Sequence, residues 1–214
     1  MSEILILQAH PDLARSRVTR ALAEAVRAAT SPRIDLRDLY QRYPDYALDL
    51  EAEQSALAQA RLIVLLHPLH WYGMPALLKL WVDEVLSFGW AYGPGGLALA
   101  GKDLWLASST GGSEEDYSAA GRHGHAVETF LLPYAQIARL CGMRHLPPLL
   151  LHAAHRVSDA ALHQHALSFV QRLLAYPQWC DSTQAEASQP PIELPVDARP
   201  APSAPPTPVK TRSN

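Results

Sequence analysis

The chain has 214 residues, 48% of them hydrophobic and 18% charged, with a formal net charge of −3. That length and apolar content suit one domain with a substantial core, and the near-neutral charge argues against a nucleic acid as the main partner. Two cysteines, Cys141 and Cys180, stand far apart and in no C-x-x-C arrangement, which argues against a disulfide framework, a cysteine-type zinc site or an iron–sulfur cluster.

Met1-Ser2-Glu3 offers no positive n-region ahead of Ile4-Leu5-Ile6-Leu7, and the longest aliphatic run, 62–66, is far too short to span a bilayer. A cytoplasmic protein is expected. The run 4–8 has the unbroken apolar look of a strand buried on both faces. Residues 16–29 carry Val18, Leu22, Ala25 and Val26 at helical spacing. A second strand is expected at 33–36, a helix at 51–60, a third strand at 62–66 and a helix at 75–87. A fourth strand follows at 104–108, a helix at 127–139, a fifth strand at 146–152 and a closing helix at 160–174. Strand and helix in strict rotation imply parallel pairing through right-handed crossovers. Five strands suit a doubly wound α/β sheet of order 2-1-3-4-5, with helices on both faces and a ligand crevice at the strand carboxyl ends.

Composition changes after Cys180. From 181 to 214 there is no aromatic residue, and eight of the 18 prolines gather there. Such a stretch buries too little apolar area to offset its ordering entropy, so the folded domain is expected over 1–180 and a disordered Pro-rich tail over 181–214.

The loops after strands one, three and four should converge. The first, from His10 to Ser16, has no glycine fingerprint or Walker loop; it leads into a helix N-terminus, whose free amides and dipole favour a phosphate. The simpler alternative makes Ser16 an N-cap and His10 a turn histidine. The second, His67-Pro68-Leu69-His70-Trp71-Tyr72-Gly73, is an aromatic loop that covers a planar ring or else packs under the next helix; amides near Gly73 are expected free for a ring edge. The third opens Ser109-Thr110-Gly111-Gly112, where paired glycines permit positive φ and close backbone approach to a ligand. Beyond it Tyr117 and His123 are a phenol and an imidazole able to meet charge developing on a ligand, or else are solvated. His152 with His155, and His163 with His165, lack a carboxylate or cysteine to complete a metal site.

Four segments carry a resemblance. His10-Pro11 after the first strand, H-P-L-H-W-Y-G-M-P-A-L-L-K-L-W-V-D-E-V at 67–85, G-W-A-Y-G at 89–93 and S-T-G-G-S-E-E-D-Y-S-A-A-G-R-H-G at 109–124 are very similar to the NAD(P)H:quinone oxidoreductases of DT-diaphorase type. L-Y-Q-R-Y-P-D-Y at 39–46 and the short C-terminal half with its Leu-Pro-Pro run resemble, within that family, the ancillary flavoproteins of glutathione-regulated potassium-efflux systems. The resemblance covers roughly residues 3–175; the tail has no counterpart.

It implies a flavodoxin-like fold and a homodimer with flavin at the subunit interface. FMN is implied over FAD, because a polar tail replaces the C-terminal elements that longer relatives place around the adenosine. Carried over by position, His10, Ser16, Arg17, Val18 and Thr19 would meet the flavin phosphate, and Leu69, His70, Trp71 and Tyr72 would line the isoalloxazine. Ser109, Thr110, Gly111 and Gly112 would bond its edge, and Tyr117 with His123 would stabilise the anionic reduced flavin. Thr19 stands where the family commonly has asparagine, and His70 where it has glutamine. The implied activity passes hydride from NAD(P)H to flavin and then to a quinone from one shared site, hence by ping-pong kinetics. The implied alternative is a regulatory subunit of a potassium-efflux antiporter, which adds a peripheral place at the inner face of the cell membrane. Truncation after Cys180 is expected to leave melting temperature and turnover nearly unchanged, as thermal denaturation and steady-state assay of the shortened chain will show.

Overall fold

The computed structural model describes residues 2–180; the tail expected at 181–214 lies outside them. The strands are β1 (Ile4–Gln8), β2 (Ile34–Asp38), β3 (Leu62–Pro68), β4 (Asp103–Ser109), β5 (Arg144–His145) and β6 (Leu149–Leu151). The helices are α1 (Val18–Ala29), α2 (Leu39–Arg42), α3 (Leu50–Gln59), α4 (Ala76–Val85), α5 (Val127–Leu140) and α6 (Asp159–Leu174). All strand pairs are parallel, in the order β2-β1-β3-β4-β5, with β6 also on β4. The doubly wound topology is the one the alternation implied.

Three local differences have plain causes. The expected fifth strand, 146–152, is shortened to β6, and the two-residue β5 precedes it, because Pro147 and Pro148 have no N–H to give to a continuous ladder; Asp103 and Leu104 pair with β5, and residues 107–109 with β6. The first helix begins at Val18 rather than at 16, since a 3-10 turn, Leu13–Arg15, occupies its approach. The short α2 was not foreseen. Asp38 nucleates it by accepting a hydrogen bond from the Gln41 amide at 3.2 Å.

Burial explains the apolar runs. Along β1, Leu5 and Leu7 face one helical layer while Ile4 and Ile6 face the other. Leu5, Leu7, Ile63, Leu65, Leu104 and Leu106 pack with Leu57 of α3, Leu77, Leu78 and Trp81 of α4 and Tyr134 of α5. Ile4, Ile6, Val64, Trp105 and Ala107 pack with Val18 and Leu22 of α1 and Phe169 of α6. Strands buried on both sides lose the period-two alternation of a half-exposed sheet.

A carboxylate sits wholly inside this packing. Glu53, in the first turn of α3, has no exposed surface. Its Oε1 accepts from Arg37 at 2.7 Å and from the Tyr43 hydroxyl at 2.6 Å, with Arg42 Nε at 3.3 Å, and its Oε2 accepts from Trp81 Nε1 at 3.0 Å. One carboxylate thus ties β2, the end of α2, α3 and α4 together. Glu53→Gln presents an amide donor to partners that are all donors and removes the buried charge facing Arg37, which keeps only its pair with Asp35; a loss of about 3 kcal/mol or more is expected in urea unfolding.

Candidate functional site

The site is assembled by the carboxyl edge of the sheet. β3 and β4 run in register to their last residues, His67 opposite Ser108 and Pro68 opposite Ser109. Beyond the strands the pairing continues, with the Leu69 amide donating to Ser109 O at 2.9 Å and the Ala9 amide to Leu66 O at 2.9 Å. The loops that leave β1, β3 and β4 therefore start level with one another.

In the β1 loop His10 is half-buried, and its Nδ1 accepts from the Asp12 amide at 3.1 Å. Burial, and then the neighbouring His70, lower its pKa. The rings of His10 and His70 meet edge to face at 5.6 Å, so two loops distant in sequence are joined here. Ser16, Val18 and Thr19 are buried, and Arg17 is the N-cap of α1, without a side-chain cap. The Arg17 guanidinium turns away to the carbonyls of Ala154 and Val157 and to Asp159 at 2.6 Å. What this segment presents to an anion is the amide end of α1.

The β3 loop is a two-residue turn. The His70 amide donates to Gly73 O at 3.1 Å and the Gly73 amide to His70 O at 3.0 Å, so of the amides near Gly73 its own is spent, while those of Trp71 and Tyr72 carry no hydrogen bond among the described residues. Trp71 and Tyr72 between them have φ of 47° and 66°. A tight hairpin turn of this kind favours Asn-Gly; two bulky aromatics there cost about 1–3 kcal/mol each. Trp71 is 95% exposed, so it does not pack under α4. Tyr72 stacks on Phe130 of α5 at 4.9 Å and places its hydroxyl 3.3 Å from His123 Nδ1.

The β4 loop supplies the polar edge. The Thr110 amide is spent on Leu151 O at 3.0 Å, whereas those of Gly111 and Gly112 carry no hydrogen bond among the described residues. Neither glycine has positive φ, so that expected reason for the pair does not hold. Gly112 is needed for the close approach of side chains: a Cβ there would lie 2.8 Å from His123 Nε2 and 3.1 Å from the Tyr117 ring. Gly111 faces open space. Tyr117 and His123 stack at 4.2 Å, and burial raises the Tyr117 pKa, keeping the phenol a donor. Two further residues belong to this cluster, Phe130, which the sequence did not mark, and His152, which it offered only as an incomplete metal ligand. Phe130 lies beneath Tyr72 and Tyr117, and His152 reaches Thr110 Oγ1 at 2.9 Å while that hydroxyl donates to Gly112 O at 2.8 Å. Among the described residues no group of three potential metal ligands exists, and no helix is long and apolar enough to cross a membrane.

This sheet order and loop arrangement have counterparts in known proteins. The chain matches the flavodoxin-like fold family over residues 2–173. It belongs to that family. It is 44% identical over 173 residues to the glutathione-regulated potassium-efflux system ancillary protein KefF of Citrobacter koseri, covering 81% of this chain and 96% of that one. General stress protein 14 of Treponema denticola, solved in complex with FMN, superposes with a TM-score of 0.74 at 35% identity over 84% of this chain and 98% of that one. An NADPH-quinone reductase from P. pentosaceus superposes with a TM-score of 0.70 at 28% identity over 80% and 96%. The family resemblance read from the sequence is therefore correct.

Behind the β3 loop lies His67, wholly buried, its ring stacked on Tyr134 at 5.6 Å. Burial pushes its pKa down to about 4, against about 6.5 in an unfolded chain. A depressed histidine contributes stability that is complete above the unfolded value and is lost as pH falls toward the folded one. Urea unfolding is therefore expected to lose about 3 kcal/mol between about pH 6.5 and pH 4 from this group, and His67→Phe should remove that part of the slope.

Proposed function

We propose that the chain is a flavin-dependent NAD(P)H:quinone oxidoreductase, working as a homodimer with FMN at the subunit interface. The observation that carries this reading is the convergence of three loops on one edge, with unpaired amides at Gly111 and Gly112, the amide end of α1 beside His10, and the stacked Tyr117–His123 pair above them. These residues fit a flavin: an anion site, an aromatic wall and a polar edge in sequence around one crevice. FAD is the alternative cofactor, and a nicotinamide and a quinone are the two substrates.

FMN, when bound, supplies the capacity to accept a hydride and to give it up again. The residues bind and orient. The first amides and dipole of α1, from Arg17 to Thr19 with Ser16 and His10 alongside, hold the phosphate. Leu69, His70, Trp71 and Tyr72 form the wall along the ring, and a second copy of the chain covers the bare indole of Trp71. The amides of Gly111 and Gly112 meet the polar edge, with Ser109 and Thr110 shaping the loop. Thr110 Oγ1, fixed by His152 and Gly112, locks that loop. His123 Nε2 leans over Gly112, so imidazole and amides converge where negative charge would gather. One crevice serves both substrates in turn, which gives ping-pong kinetics.

A second reading, regulation of a potassium-efflux antiporter by docking, rests on the 44% identity to the ancillary protein of such a system. The two are compatible. A transporter gene beside this one favours docking, and robust turnover by the isolated dimer without such a neighbour favours the enzyme.

Purified protein is expected to be yellow, with about one FMN per subunit released on denaturation; a colourless protein that binds neither added FMN nor FAD ends the enzyme reading. Tyr117→Phe and His123→Gln should each slow anaerobic flavin reduction by NAD(P)H about tenfold to several hundredfold at near-normal flavin content. The double variant should fall short of the product of the two, since both act on one charge. Unchanged stopped-flow rates in both singles assign the stabilisation to the Gly111 and Gly112 amides alone.

A further inference from the structure

His67 is one residue from the end of β3, and its backbone is fixed on both sides. It sits opposite Ser108 in the ladder, and its carbonyl accepts a hydrogen bond from Ser108 Oγ. Its side chain points to the α5 layer, where it stacks on Tyr134. Nδ1 lies 2.9 Å from Pro68 O. A carbonyl only accepts, so Nδ1 carries the proton and Nε2 is left a bare acceptor. That Nε2 is buried without a partner, and so is the Tyr134 hydroxyl. An apolar ring of the same size would fill this place with no orphaned nitrogen. Packing alone therefore gives no reason for an imidazole here.

The Nδ1 bond gives one. Pro68 O and the Leu69 N–H belong to one peptide unit, and the Leu69 amide is held by Ser109 O at 2.9 Å. The unit is clamped at its carbonyl by His67 and at its amide by β4. Immediately beyond it comes the turn in which Trp71 and Tyr72 are held at positive φ. A strained turn persists only when its surroundings over-determine it. We propose that His67 is the positioning residue of the β3 loop: by donating Nδ1–H to the Pro68 carbonyl from inside the core, it fixes the Pro68–Leu69 peptide and so the orientation of the turn that presents Trp71 and Tyr72 to the flavin ring. The inference rests on the flavin reading for the identity of the ring, but the clamp itself is a property of the chain alone.

The full chain carries the test in four forms: wild type, His67→Phe, His67→Asn and Tyr134→Phe. Asparagine keeps an N–H donor at the Nδ position and lacks the ring; phenylalanine keeps the ring and lacks the donor. In protein freed of flavin, hydrogen exchange at the Leu69 amide should quicken at least tenfold in His67→Phe, and stay within about threefold of wild type in His67→Asn and Tyr134→Phe. The dissociation constant for added FMN should rise about tenfold in His67→Phe and be restored by asparagine, with a shifted flavin midpoint potential in the phenylalanine variant only. Global melting temperature in His67→Phe should hold or rise, which separates loss of the clamp from loss of the fold. Should His67→Phe not fold, His67→Met, whose flexible apolar chain fills the same space, takes its place against asparagine. A Leu69 amide unmoved by loss of the donor, or an asparagine variant that exchanges and binds like phenylalanine, overturns the clamp. Wild type that binds no FMN or FAD overturns the flavin reading, and with it the role assigned to the turn, while the Leu69 exchange still decides the clamp.

Discussion

The parallel register of β3 on β4 is the constraint on which the site depends. His67 faces Ser108 and Pro68 faces Ser109, and the next hydrogen bond, Leu69 N–H to Ser109 O, lies already in the loops. A shift of one residue would turn every side chain of β3 to the other face. Ile63 and Leu65 would leave the layer of α3, α4 and α5 for the opposite one, and His67 would leave Tyr134. Because the register is fixed by apolar burial on both faces, the loops beyond it inherit a common height, and chemistry can be distributed over segments as distant as His10 and His152.

The same edge holds several features that burial alone would not select. Two aromatics occupy a turn that favours Asn-Gly, an indole stands bare, and a histidine and a tyrosine leave polar atoms unpaired in the core. A buried polar atom without a partner costs about 1–3 kcal/mol, so the sheet's apolar packing sustains a local deficit where the crevice lies. By contrast Glu53, a charged group buried in the same helical layer, has every oxygen occupied. One buried polar group is satisfied and joins elements together; the other is left partly unsatisfied beside the site.

Much of the fold was legible because its signals are local. Apolar runs at Ile4–Gln8 and Leu62–Pro68 declare strands buried on both faces, and helices between them force parallel crossovers. Capping chemistry was less visible: Asp38 starts α2 at the end of a strand, and the 3-10 turn before α1 delays that helix, since a few hydrogen bonds settle matters that periodicity does not reach. The break at Pro147 and Pro148 is written in the sequence as two missing donors, which the apolar run around them masks.

For the site, residue types at the strand ends, together with the resemblance they carry, determined which loops matter and that Tyr117 and His123 belong together. The amino-acid order could not say which donors are free. Only the tertiary structure decided that the Thr110 amide is spent on Leu151 while Gly111 and Gly112 are not, that Arg17 turns its guanidinium to α6, and that Gly73 closes its own turn. It also decided that Gly112 is small for the sake of His123 and not for its φ, and that Phe130 and His152 complete the cluster. The reason is physical: propensity and periodicity act between near neighbours along the chain, whereas hydrogen-bond occupancy and contact distance depend on groups up to 143 residues away, as between Arg33 and Tyr176.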